Sequence, residues 1–422
     1  MSKQAQTKLQ QLLSESDVGQ IPFREAVESL ADECGVQNQT AKQYVYKYAN
    51  TEENVFGDKF VKTMKQETES DTATQNTTTE NATKQTATEE VAGHIEDDIS
   101  RQELEAEVGG GTGVYYDGKN FIKEEEWVEE HGPDEPIPGL EVLEDVGHPL
   151  VPDLDYQYLK RRLVGNYTDV EITVDAMADE DFSVLLEGET GVGKGVLIKF
   201  ICMQTNRPLI PVNFDEGITF DQLVGHYGPA EDGGFEWKPG FLQYATERGY
   251  TFLADELNAA PGEITMALHG LTEDRSNRRL DLREKGEIIK PHEQFRFVGT
   301  MNPAHAGYDG AKNLNDAFQT RFYTIEIDYM DAKAEVQHIL EKAGNHITER
   351  EARRLVDLAG NLRAMYPKEI NTPISTRELI KVAKMKRRLS LVDSTKLIFG
   401  GIAEPTDKDA INKAIKTTLG KN

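Results

Sequence analysis

From about residue 150 onward, short apolar runs alternate with stretches whose apolar positions recur at helical spacing. FSVLLEG, PLIPVNF, GYTFLADE, FRFVGTMN and YTIEID read as strands, with helical segments between them. Strands apolar on both faces and joined through helices predict a mostly parallel sheet covered on both sides, an α/β fold. From about 331 the strand-like runs stop. EREARRLVDLAGNLRAMY and TRELIKVAKMKRRL combine an apolar stripe with i, i+4 charge patterning, which predicts a smaller helical domain.

Upstream the pattern differs. Residues 18–50 read as helix, tight turn, helix: FREAVESLADECG, a turn at Gly35, then NQTAKQYVYKYA, with Leu30, Ala31, Cys34, Val36, Ala41 and Tyr44 on the inner face. That unit is either a DNA-binding helix-turn-helix or a small helical docking domain. Lys42 and Lys47 are the cations of the would-be recognition helix, and acidic residues surround it. Next comes a Thr, Gln, Glu and Asn-rich stretch with almost nothing to bury, which predicts a disordered tether. GVYYDGKNFI reads as a hairpin turning at Asp117-Gly118, followed by a proline-rich connector. The expected layout is a helix-turn-helix-like unit over 1–63, a linker over 64–108 and a connector over 109–150. An α/β domain over 151–330 and a helical domain with tail over 331–422 complete it.

Charge narrows the partners. The 74 acidic residues outnumber 47 basic ones, giving a net charge of -27, so DNA contact through residues 18–50 is possible but disfavoured without a local basic patch. The acidity fits either a cytosolic protein with acidic linkers or one adapted to a salt-rich cytoplasm. The two cysteines, Cys34 and Cys202, form neither a disulfide framework nor a zinc site and suit a reducing compartment. The N-terminus lacks a signal-peptide pattern, and no run approaches the roughly 18 apolar residues of a membrane span. A cytoplasmic protein without membrane contact is expected.

The candidate chemistry begins where FSVLLEG runs into GETGVGKG and then the helix VLIKFICMQ. Gly188, four residues, Gly193 and Lys194 form a phosphate-binding loop in its strand–loop–helix context. Glycines let successive backbone N–H groups turn toward phosphate oxygens, and the helix N-terminus adds partial positive charge. Gly188, Glu189, Thr190, Gly191, Val192, Gly193, Lys194 and Gly195 are therefore the expected nucleotide cradle, with Lys194 reaching the β- and γ-phosphates. Gly195 stands where a Ser or Thr hydroxyl would help hold Mg²⁺. Water or a shifted Thr190 hydroxyl could fill in, or hydrolysis is slow.

Five further residues fit this chemistry. GYTFLADE ends in Asp255-Glu256, where strand alternation would aim Asp255 at the Mg²⁺ shell and Glu256 at an attacking water. Asn302 closes FRFVGTMNP and is either a water-orienting amide or a turn-forming residue before proline. Arg321 in LNDAFQTRF is either a surface ion-pair residue or an arginine finger serving a neighbouring subunit. Arg377 in ISTRELIKVA either approaches the phosphates from the helical domain or lies on a solvated face.

In order, GETGVGKG, TFLADELNAA, FVGTMNP, LNDAFQTRF and ISTRELI resemble the AAA+ ATPases. The likeness is to the MoxR-like and dynein-related branch that includes CbbQ, NorQ and gas-vesicle GvpN proteins, and it spans about 150–400. It implies a five-stranded sheet in the order 5-1-4-3-2 with a helical lid, and ATP and Mg²⁺ as cofactors. It also implies a homo-oligomer, usually a hexameric ring. Such a ring would remodel a client protein complex, with a von Willebrand factor A domain protein as a possible partner. GHYGPAEDGGFEWKPGFLQYATERGY and LTEDRSNRRLDLREKGEIIKPHEQFRF resemble the branch's two inserted hairpins, near the pore in that family. Phe235, Trp237 and Lys238 are then either substrate contacts or hairpin packing. A DNA-associated motor and a nucleotide-gated scaffold with weak hydrolysis are the competing functions.

Overall fold

A computed structural model describes residues 107–420 apart from Asp134, Asp155, 231–232 and 304–313. It also describes the backbone of three short strands nearer the N-terminus. The chain divides into a unit over 1–83 and a larger one over 84–422. In the first, Lys59–Met64 lies between Ile21–Pro22 and Ala49–Glu53 in an antiparallel sheet that the apolar pattern did not flag. Of the two helical segments expected within 18–50, only the last residue, Ala49, is described, and it lies in a strand; the rest falls outside the described residues, as does the tether expected over 64–108 except at its ends.

The larger unit is built on β1 (Ser183–Glu187), β2 (Leu209–Asn213), β3 (Thr251–Asp255), β4 (Arg296–Met301) and β5 (Phe322–Glu326). All pair in parallel, in the order 5-1-4-3-2. Burial explains the apolar pattern. β4 is buried along its whole length and β1 and β3 nearly so, which is why their runs are continuous. The edge strands are partly exposed: β2 turns Pro211 outward, where a missing N–H costs no ladder bond, and β5 exposes Tyr323.

Helices α1 (Asp169–Ala178) and α2 (Lys194–Gln204) cover one face, packing Val170, Val174, Leu197 and Ile201 against Val184, Leu253 and Val298. Thr168 and Glu171 cap α1 reciprocally. On the other face Phe252 stacks on Phe297 with centroids 5.8 Å apart, amid Leu257, Ile264 and Phe318. The hairpin expected at Asp117-Gly118 is present as Gly111–Tyr116 and Phe121–Lys123, and Leu140–Leu143 pairs with its first strand. Tyr116 and Leu140 share the core of α1, so this segment is packed onto the sheet unit.

The helical region after β5 comprises α3 (Ala332–Ala343), α4 (Glu349–Met365), α5 (Thr376–Met385), α6 (Leu391–Ile402) and α7 (Lys408–Leu419). Leu355, Leu362, Leu379, Phe399 and Ile415 form its own core. One ion pair crosses that core. Glu335 on α3 is 1% exposed and accepts two bonds from Arg363 on α4, at 2.9 and 2.7 Å. The Thr376 hydroxyl adds a third at 2.6 Å. Arg363 also donates to the Ile374 carbonyl at 2.8 Å and lies 3.7 Å over the Tyr329 ring in the connector from the sheet. Among the described residues no helix is long and apolar enough to cross a membrane.

Removing one partner of such a pair leaves a buried charge unmatched, a loss on the order of 3–5 kcal/mol. Glu335→Ala should therefore lower the thermal midpoint of the lid sharply, measured by calorimetry of the full chain. An unchanged midpoint would show that the pair contributes no net stability.

Candidate nucleotide site

In a parallel sheet the carboxyl ends of adjacent strands meet along one edge, and β4 lies between β1 and β3. The loop after β1 turns through Gly191 and Gly193, both with positive φ, and Gly193 at 93° is the N-cap of α2. A Cβ at Gly188 would collide with the Ile327 carbonyl, so the loop lies hard against the chain leaving β5. Lys194 opens α2 and is buried. Its Nζ donates to the carbonyls of Gly188 (2.6 Å) and Glu189 (3.1 Å) and to Asn302 Oδ1 (2.9 Å). Burial pulls the ammonium down to about 8, although Asp255, Glu189 and Glu256 oppose the shift.

Asp255 ends β3, and its Oδ1 accepts the Thr300 hydroxyl, while Thr300 Oγ1 accepts the Glu256 N–H at 3.1 Å. Strand alternation was expected to splay the two carboxylates. Glu256 is instead already off the strand, in the left-handed region at φ 58°, ψ 39°. A non-glycine residue there is strained, and such strain concentrates at functional sites. Asn258 donates to the Asn302 carbonyl at 3.0 Å, fixing the end of β4.

Three residues on this edge escaped the sequence reading. Thr300 had one usable signal, its place two residues before the strand-closing Asn302. Ser375, just before α5, lies against the loop: a Cβ at Gly191 would collide with its side chain. Arg161 is buried, donates to the hinge carbonyl of Asp328 at 3.1 Å, and its Nη2 would lie 3.1 Å from a Cβ at Gly193. Nothing in the local sequence marks either. Arg377 is exposed, two residues beyond Ser375. At Gly195 an added Cβ would meet only Leu253 Cδ2, at 3.8 Å, so the missing hydroxyl is not a steric necessity.

Arg321 does not join this group. It precedes β5, whose Phe322 pairs with Ser183 at the start of β1, so it lies at the amino edge of the sheet. Five strand residues separate the edges, on the order of 16 Å. There it pairs with Glu273 and donates to the Ala317 carbonyl at 3.1 Å.

Residues 183–322 match the AAA domain of the dynein-related subfamily, and 336–419 match the CbbQ/NirQ/NorQ C-terminal domain. Protein NorQ of Paracoccus denitrificans is 30% identical over 237 residues, covering 56% of this chain and 84% of that protein. The chain belongs to the CbbQ/NirQ/NorQ family of MoxR-like AAA+ proteins. Protein CbbQ of Hydrogenophilus thermoluteolus is 31% identical over 234 residues, 54% of this chain and 84% of that protein. Aerobic cobaltochelatase subunit CobS of Sinorhizobium sp is 26% identical over 251 residues, 56% and 73% respectively.

This AAA+ chain carries both expected hairpins, Gly225–Pro229 with Phe235–Pro239 and Leu280–Leu282 with Glu287–Ile289. Their aromatics divide. Phe235 is 77% exposed, whereas Trp237 is anchored, its Nε1 donating to Gln243 at 2.8 Å and its ring edge-on to Tyr227. Lys238 pairs with Glu236. Among the described residues no His, Cys, Asp and Glu cluster forms a metal cage. A carboxylate such as Asp255 beside a phosphate cradle is nevertheless the donor set that suits Mg²⁺, which keeps waters and phosphate oxygens as most of its ligands.

Nucleotide phosphates should hold Lys194 protonated, whereas the free site releases its proton near pH 8. Binding above pH 8 therefore takes up a proton, and affinity should fall by up to about tenfold per pH unit there. Titration of a fluorescent nucleotide analogue should show that slope in wild type. Lys194→Ala, weaker throughout, should lack it, and parallel profiles would refute the assignment.

Proposed function

We propose that this protein binds ATP with Mg²⁺ at the carboxyl edge of its sheet and hydrolyses it within a ring to remodel a partner protein complex.

 The observation that carries this reading is the convergence of Lys194, on the helix after β1, with Asn302 and Asp255 at the ends of the neighbouring β4 and β3. Family membership supports nucleotide binding independently.

In this reading Lys194 exchanges its loop carbonyls for β- and γ-phosphate oxygens. Asp255, oriented by Thr300, would hold the Mg²⁺ site, and the ion when bound would supply charge neutralisation at the phosphates. Glu256 polarises the attacking water and Asn302 orients it. Arg377 approaches from the lid, whose Ser375 already touches the loop. Arg321, remote from its own loop, completes the site of the next subunit. That division of labour requires an oligomer, and a hexameric ring is the form proposed. Phe235 then offers an exposed aromatic contact for a client. The names of the relatives point the same way: CobS is a subunit of a chelatase, a member of a larger assembly. A von Willebrand factor A domain protein is the proposed kind of partner, and the cytoplasm the proposed location.

Turnover should fall by roughly 100-fold or more in Glu256→Gln and in Arg321→Ala, the range for loss of a group acting only in the transition state. Nucleotide affinity should stay within a few-fold of wild type in both. Phosphate release and equilibrium binding check this, and loss of affinity in a monomeric Arg321→Ala would remove the trans assignment.

Gly195 favours one second reading, a nucleotide-gated scaffold with slow hydrolysis. The open space beside it makes the test clean. Gly195→Thr should fold normally and raise turnover several-fold if Mg²⁺ placement limits the rate. An unchanged rate in the steady-state assay would show that the missing hydroxyl is already compensated.

A further inference from the structure

Arg321 is held by its own subunit. Its Nε donates to the Ala317 carbonyl at 3.1 Å, its Nη1 reaches the His269 carbonyl at 3.5 Å, and Nη1 pairs with the Glu273 carboxylate. The carbonyls orient the guanidinium; Glu273 is its charged partner. The two side chains keep 27% and 37% of their exposure, and an ion pair that open contributes little and exchanges readily.

The surroundings make the pairing specific. Arg321 lines a cleft of about 510 Å³ together with Asp181, Glu273 and Asp274. Asp181 accepts the Arg275 N–H, and Asp274 is occupied by Ser276 and Asn277 within its own turn. Glu273 is the carboxylate of the three that reaches the guanidinium. Its backbone is fixed in turn, because the buried Arg278 donates to the Glu273 carbonyl at 3.1 Å. An approaching triphosphate would meet these carboxylates before it met a free cation.

We propose that Glu273 is a positioning residue that holds Arg321 in reserve until a neighbouring subunit presents a nucleoside triphosphate, whose terminal phosphate then displaces the Glu273 carboxylate. The proposal rests on the reading of Arg321 as acting in the next subunit's site. It adds a competition: the finger is engaged when phosphate charge outweighs one carboxylate. Glu273 also follows the helix Gly262–Leu268, which begins just after Asp255 and Glu256. The hold on the finger thus stands on the segment that carries the subunit's own catalytic carboxylates.

The test uses the full chain with ATP and Mg²⁺. Glu273→Gln keeps the shape and removes the charge. Its kcat should rise about two- to five-fold at low ionic strength, with KM nearly unchanged, and the gain should shrink as salt screens the pair. Glu273→Asp, with a shorter reach, should fall between the two and serves if the amide variant folds poorly. Light scattering with a non-hydrolysable nucleotide should show Glu273→Gln assembling at lower protein concentration than wild type. In an Arg321→Ala background the Glu273 substitution should change neither readout. A purely structural ion pair would lower thermal stability and leave kcat and assembly as in wild type, and that result overturns the proposal. If Arg321→Ala is inactive while Glu273→Gln is no faster and assembles no better, the Glu273 role alone fails. If Arg321→Ala hydrolyses ATP at the wild-type rate, the trans reading fails and this proposal falls with it.

Discussion

The placement of β4 between β1 and β3 is the constraint on which the site depends. It sets Asn302 beside Lys194 and brings Asp255 onto the same edge, although the three residues are far apart in the chain. The burial of Lys194 follows from the same arrangement. An ammonium taken out of water is costly unless its donors are satisfied, and here two loop carbonyls and an amide oxygen satisfy them. All three acceptors are neutral, so an anionic group would compete well for that ammonium.

The same edge receives contributions from outside the sheet. Ser375 touches Gly191 from the start of α5, and Arg161 bridges the neighbourhood of Gly193 to the hinge carbonyl of Asp328. The lid end that reaches the loop is itself fastened by the Glu335, Arg363 and Thr376 network, and Arg363 stacks on Tyr329 in the connector. The loop after β1 and the helical region are thus joined by packed contacts. Arg321 stands at the other edge of the sheet, paired with the Glu273 carboxylate.

The acidic strand end departs from simple strand geometry. Glu256 occupies a backbone region that few non-glycine residues adopt, and Thr300 accepts its N–H while donating to Asp255. A strand that merely ended in two acidic residues would need neither feature. At the hairpins the aromatic pair separates for a plain reason: Trp237 has an indole N–H that Gln243 satisfies, and Phe235 has no polar atom to anchor it.

By itself the sequence determined the strand–loop–helix around Gly188–Lys194, the acidic strand end, the strand order implied by its likeness to AAA+ proteins, and the switch to helices after β5. These are local periodicities and short motifs, carried by neighbours in the chain. It did not show Thr300, Ser375 or Arg161 on the nucleotide edge, nor Glu273 on Arg321, because each of these contacts joins segments remote in sequence and has no period of its own. It also missed the short strands Ala49–Glu53 and Lys59–Met64, where polar residues interrupt any apolar alternation. Tertiary structure alone decided which carboxylates and cations meet, since the Coulomb and hydrogen-bond terms that pair them depend on distance in space and not on position along the chain.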